Sequence, residues 1–142
     1  MSPKLIRDLE EKYPSLKIPC LETDNGWYNL IDMLLAEVTN TNNQLEKYKI
    51  RCSITQIKEK FGGLRFYVVN NWVEKTMDGD LLIEDQDKAA DLIDKLYEFI
   101  ERIEDTSREL CEICGITGEI LRSETQLKTL CKNCRGMKFQ YN

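Results

Sequence analysis

Cys111-Glu112-Ile113-Cys114 and Cys131-Lys132-Asn133-Cys134 are two CxxC pairs separated by sixteen residues, and together they use four of the six cysteines in the chain. Each pair lets two sulfurs converge from one tight turn, and four thiolates make a complete tetrahedral shell for Zn²⁺. Gly115 follows the first pair, and Gly118 opens the stretch from Glu119 to Thr129, whose length fits a β-hairpin closing on the second pair. The spacing therefore predicts a zinc ribbon holding one structural Zn²⁺ on Cys111, Cys114, Cys131 and Cys134. A redox or disulfide pair is the competing reading; against it, the sequence shows no secretory signal, and cytosolic thiols stay reduced. Four sulfurs leave no position for a reactive water, and the chain has no histidine to act as a base near neutral pH. Both features argue against an enzyme, although a lysine or carboxylate can act without histidine.

Outside the cysteine pairs, the 142 residues suffice for one ordinary core, expected over 1–110, with the ribbon as 111–142. Hydrophobic content of 42% and charged content of 32% fit a soluble globular protein, and no apolar run nears the ~18 residues that a membrane crossing needs. The expected location is the cytoplasm, with no membrane partner. A net charge of -5 argues against a surface built throughout to hold polyanions. The charge is segregated: residues 42–71 carry six cations against two acids, and residues 72–110 carry five against thirteen.

Ser2-Pro3 reads as a helix start, with Leu5, Ile6, Leu9 and Tyr13 as its apolar stripe and Pro14 as its stop. Pro14 to Leu21 is expected to be an extended connector in which Cys20 is a buried small hydrophobe. Asp24-Asn25-Gly26 signals a turn and cap, after which Trp27, Leu30, Ile31, Leu34, Leu35 and Val38 recur at helical spacing and predict a core-facing helix. The Asn and Thr run from Thr39 to Asn43 competes for backbone bonds, and the helix is expected to fray or end there.

From Tyr48 to Val69 the period changes to two. Phe61-Gly62-Gly63-Leu64 predicts a hairpin whose two-residue loop is Gly62-Gly63, since positive φ costs glycine nothing. In that register Ile57, Phe61, Leu64, Phe66 and Val68 face the helices, with Glu59 as the exception, while Lys58, Lys60, Arg65 and Tyr67 share the other face. Ile50, Cys52 and Ile54 fall on the basic side by parity, which requires a bulge near Gln56 or a sheet covered on both faces. Cations around an aromatic suit a nucleic-acid strand or an acidic protein; a solvated basic face is the blander reading and the commoner one. Asn70 to Leu82 reads as a loop or second hairpin.

Asp85 or Asp87 can cap a long helix with Ala89, Leu92, Ile93, Leu96, Ile100 and Ile103 on its inner stripe. Asp91, Asp94, Glu98, Glu101 and Asp105 line the opposite face as one acidic row, a solvated face by default and otherwise a dock for a basic partner. The helix runs almost into Cys111, so the ribbon is expected to be fixed in orientation. Arg122, Lys128, Lys132, Arg135 and Lys138 decorate it, the first four joining the hairpin cations as candidates for nucleic-acid or partner binding.

Gly26-Trp27 with Leu30-Ile31, the run Ile57-Lys58-Glu59-Lys60-Phe61-Gly62-Gly63-Leu64-Arg65-Phe66-Tyr67, Cys111-Glu112-Ile113-Cys114-Gly115 and Thr129-Leu130-Cys131 resemble a family of small zinc-ribbon-ended proteins encoded by phages and prophages. The resemblance spans about 26 to 134, and the central run is its most specific part. It implies no catalytic residue. The setting implies accessory roles such as blocking a host defence nuclease or redirecting another host factor. The expectation is an α+β protein with a Cys₄ ribbon that binds and modulates a host macromolecule, a protein first; a small nucleic-acid-binding protein is the alternative, and an enzyme of unknown type the remainder.

Overall fold

The computed structural model describes residues 1–73, 83–122 and 127–140, except for the side chains of 83, 121, 122 and 137–140. The elements run α1 (Pro3–Lys12), β1 (Leu21–Glu22), α2 (Tyr28–Leu45), β2 (Ile50–Lys60), β3 (Gly63–Trp72), α3 (Ile83–Ser107), β4 (Glu119–Arg122), β5 (Leu127–Leu130) and α4 (Lys132–Gln140). Short 3₁₀ turns precede and follow α2. This is the expected α+β architecture, with a three-stranded sheet β1-β2-β3 and a separate β4-β5 pair.

α2 is the centre of the core. Trp27, Leu30, Ile31, Leu34, Leu35 and Val38 are all buried, as their spacing requires. Tyr13 at the end of α1 fastens that helix to α2 by donating its hydroxyl hydrogen to Asp32 at 2.5 Å, beside a 3.0 Å Lys12–Asp32 ion pair. The Asn and Thr run does not end α2, which continues to Leu45. Two of those polar side chains have other work: Thr39 Oγ1 donates to Leu35 O within the helix, while Asn42 makes paired hydrogen bonds with the backbone of Cys52. Tertiary partners thus outweigh the local preference. Cys20, expected inside, is exposed, because β1 begins only at Leu21 and turns that next side chain inward.

The hairpin register differs from the expected one by a single residue in the turn. Lys60 pairs with Gly63, Glu59 with Leu64, Lys58 with Arg65 and Ile57 with Phe66, so the loop is Phe61-Gly62. Phe61 leaves the core and stands 64% exposed. The strand faces survive: Ile57, Leu64, Phe66 and Val68 are buried against the helices. The ladder shifts between Ile54 and Gln56, and this bulge returns Cys52 and Ile54 to the buried face. β1 adds two residues parallel to β2, Leu21 opposite Ile57 and Glu22 opposite Lys58.

α3 inserts its apolar stripe into the core through Ala89, Leu96, Ile100 and Ile103 and also closes the outer edge of β3. The Leu64 and Phe66 N–H groups donate to Ser107 Oγ at 2.8 Å and to Glu104 Oε2 at 2.9 Å, and the Tyr97 hydroxyl donates to Val68 O at 3.3 Å. An edge that would otherwise offer free backbone groups is satisfied by side chains from a helix. β3 reaches Trp72, so the loop expected from Asn70 starts later; the remainder of it, 74–82, lies outside the described residues. None of the described helices is long and apolar enough to cross a membrane.

Candidate metal centre

Each CxxC turn presents two sulfurs. Cys111 and Cys114 lie in the turn after α3, where Gly115 N donates back to Cys111 O at 2.8 Å and Gly115 takes φ +82°. Cys131 and Cys134 lie between β5 and the first turn of α4, where Arg135 N donates to Cys131 O at 2.9 Å. β4 and β5 pair from Glu119 opposite Leu130 to Arg122 opposite Leu127 and bring the two turns to the same end of the ribbon. The four Sγ atoms lie within 4.8 Å of one another, and Cys114 and Cys131 are 3.7 Å apart. A tetrahedron with Zn–S bonds of about 2.3 Å has sulfur edges of about 3.8 Å. The donor set and its size therefore fit a four-thiolate metal ion. Cys111, Cys131 and Cys134 are buried and Cys114 is exposed, so one corner of the site meets solvent.

The thiols are already unequal. Cys134 N donates to Cys131 Sγ at 3.4 Å, and this N–H group lowers the Cys131 pKa to about 7. Burial and the neighbouring sulfurs push Cys134 up. A cation in the centre reverses the penalty on ionising four thiols together, because each thiolate then meets positive charge.

The ribbon is bonded to the body on two sides. On one, Trp27 Nε1 donates to Leu110 O at 2.9 Å and Gly26 N donates to Glu112 O at 2.6 Å. A Cβ on Gly26 would stand 2.5 Å from the Glu112 carbonyl carbon, so only glycine allows this approach. On the other side, Thr129 Oγ1 donates to Gly62 O at 2.6 Å at the hairpin turn. Between them lies a charge cluster in which Glu112 is buried and Lys128 and Glu59 are half-buried. Lys128 Nζ is hydrogen-bonded to Glu59 and stands 3.8 Å from Glu112 Oε1, while Glu112 Oε2 accepts the Asp24 N–H at 3.2 Å. Burial raises the Glu112 pKa despite Lys128. Glu59 also accepts the Gly62 N–H at 3.1 Å, which accounts for its place on an apolar strand face.

The sequence-based candidates divide accordingly. Lys128 belongs to this cluster and is a half-buried cation already paired with carboxylates. Arg65 lies 3.9 Å from Glu104. Lys58 is half-buried, while Lys60, Tyr67, Lys132 and Arg135 are exposed; the Arg122 side chain lies outside the described ones. Asp91, Asp94, Glu98, Glu101 and Asp105 are all exposed on α3. Among the described residues only Asp105 of the five forms an ion pair, with Arg108 at 4.0 Å. The docking residues Gly26, Glu59, Gly62, Glu112 and Thr129 carry no functional signal individually in the sequence. No protein-family model, curated protein or solved structure matches the chain.

Proposed function

We propose that this is a non-catalytic zinc-ribbon protein of phage or mobile-element type that docks on a host protein, such as a defence nuclease, and alters its activity. The observation that carries the reading is the contrast between the two charged surfaces. The acidic face of α3 is intact: between residues 83 and 107 the sequence places nine carboxylates against three cations, and the five of the outer row are exposed. The cationic set is depleted from within, Lys128 by Glu59 and Glu112 and Arg65 by Glu104. A basic protein surface complements the first, and charge of this kind sets partner choice and encounter rate. The metal's part is structural, since four sulfurs fill its shell.

The test is affinity capture from bacterial lysate treated with nuclease, comparing the natural chain with the triple variant Asp94→Lys, Glu98→Lys, Glu101→Lys. A captured protein lost with the variant supports the reading; a captured protein indifferent to it contradicts the use of α3. The nucleic-acid reading keeps one observation in its favour, the exposed Lys60 and Tyr67 on the sheet face that also carries the half-buried Lys58. It predicts binding of single-stranded oligonucleotides that falls steeply with salt and is abolished by Lys58→Glu with Arg65→Glu. Salt-insensitive or unaffected binding removes it.

A further inference from the structure

Phe61 and Gly62, the two central residues of the β2–β3 turn, have φ of +54° and +82°. Two positive φ values define a type I′ turn, whose first position favours Asn, Asp or Gly because a bulky side chain is strained in the left-handed region. Phenylalanine there is a local conflict, and packing does not resolve it. The ring is 64% exposed, and the Lys60 ammonium lies 5.5 Å from its centroid. Everything around the ring is nevertheless held. Gly62 is bonded through its oxygen to Thr129 and through its nitrogen to Glu59, and Gly63 lies against Arg108, whose Nε would be 3.0 Å from an added Cβ. Strain in a braced, solvent-facing aromatic marks a position selected for something other than stability.

We propose that Phe61 is a preorganised anchor that inserts into an apolar pocket on a protein partner, with Lys60 meeting carboxylates at the pocket rim. A rigid aromatic loses little conformational freedom on burial, and such residues at the centre of a contact carry a large share of its affinity. A protein pocket fits better than a nucleobase. The ring belongs to a turn tip beyond the paired strands, where no second exposed aromatic of the turn offers a stacking platform, and the turn is anchored to the end of α3 through Leu64 N and Ser107 Oγ. This inference rests on the reading of a protein partner, and it does not require that α3 touch it.

The test uses the full metal-loaded chain and Phe61→Asn, which suits positive φ. The expected result is a Tm raised by about 2–5 °C. Captured from nuclease-treated lysate, a protein that crosslinks to the chain with Phe61 replaced by p-benzoylphenylalanine should be retained by the natural chain and fall at least tenfold with Phe61→Asn. A lowered Tm would overturn the proposal by showing the ring to be packing. So would a capture profile unchanged by Phe61→Asn; if the α3 triple variant still loses the protein, the preceding reading survives alone, and if neither variant matters both fail. Retention of a 12-nucleotide oligothymidylate that depends on Phe61 would replace the pocket with a base.

Discussion

Single residues decide whether the ribbon and the body are one object. Lys128 is the cation shared by Glu59 and the buried Glu112. Removing it leaves two neighbouring carboxylates with only the Gly62 and Asp24 N–H groups to bond and no cation between them, so Lys128→Met should cost about 3–5 kcal/mol in a denaturant titration. A loss below about 1 kcal/mol, the range of an exposed ion pair, would show that the cluster is solvated. Gly26 acts through space: its missing Cβ admits the Glu112 backbone, and Gly26→Ala should cost about 1–3 kcal/mol by overpacking against atoms that cannot move aside. Glu104 offers a test in pH. Burial raises its pKa more than the Phe66 N–H and Arg65 lower it. The folded state therefore holds this proton more tightly, and the associated stability is present below the unfolded pKa and lost as pH rises through the folded one. Glu104→Gln keeps an oxygen for Phe66 N and removes the titration. Its stability relative to the natural chain should rise from pH 4 to pH 7; a difference independent of pH would contradict the assignment.

At the scale of elements, α3 has two duties on two faces. Its inner stripe is core, and Leu96→Ala should cost about 2–5 kcal/mol because Leu96 is fully buried. The charge reversals on its outer row should change stability by no more than about 0.5 kcal/mol; a large loss would make that row structural and remove it as a docking face. These elements were legible in the sequence where the period was strong. The stripe from Trp27 to Val38 and the long acidic helix follow from spacing alone; parity leaves a bulge near Gln56 and a sheet covered on both faces as alternatives, and the ladder shift between Ile54 and Gln56 decides for the bulge. What spacing does not carry is the competition for polar side chains across the fold. Asn42 lengthens α2 because Cys52 needs its amide, and the turn settles on Phe61-Gly62 because Thr129 and Glu59 hold Gly62 from both sides. The local rule favours Gly62-Gly63, so the observed register follows from these tertiary bonds against the preference of the turn. β1 leaves no signal in the sequence because two residues have no period.

For the whole molecule, the CxxC spacing located the four sulfurs but not what the ribbon rests on. Residues far apart in the sequence converge on one junction: Gly26-Trp27, the hairpin from Glu59 to Gly62, Glu112 with Gly115, and Thr129. A cation held by the four thiolates would tie the two CxxC turns together, and the ribbon is bonded to the hairpin turn and to the start of α2. Metal binding then contributes to the stability of the body as well as of the module. The most direct measurement is metal content by mass spectrometry on the reduced protein, followed by thermal unfolding with and without a chelator. The account predicts one zinc per chain and a chelator-induced fall in Tm for the whole chain, core included. Folded protein that contains no metal, or a core transition untouched by the chelator, would contradict it.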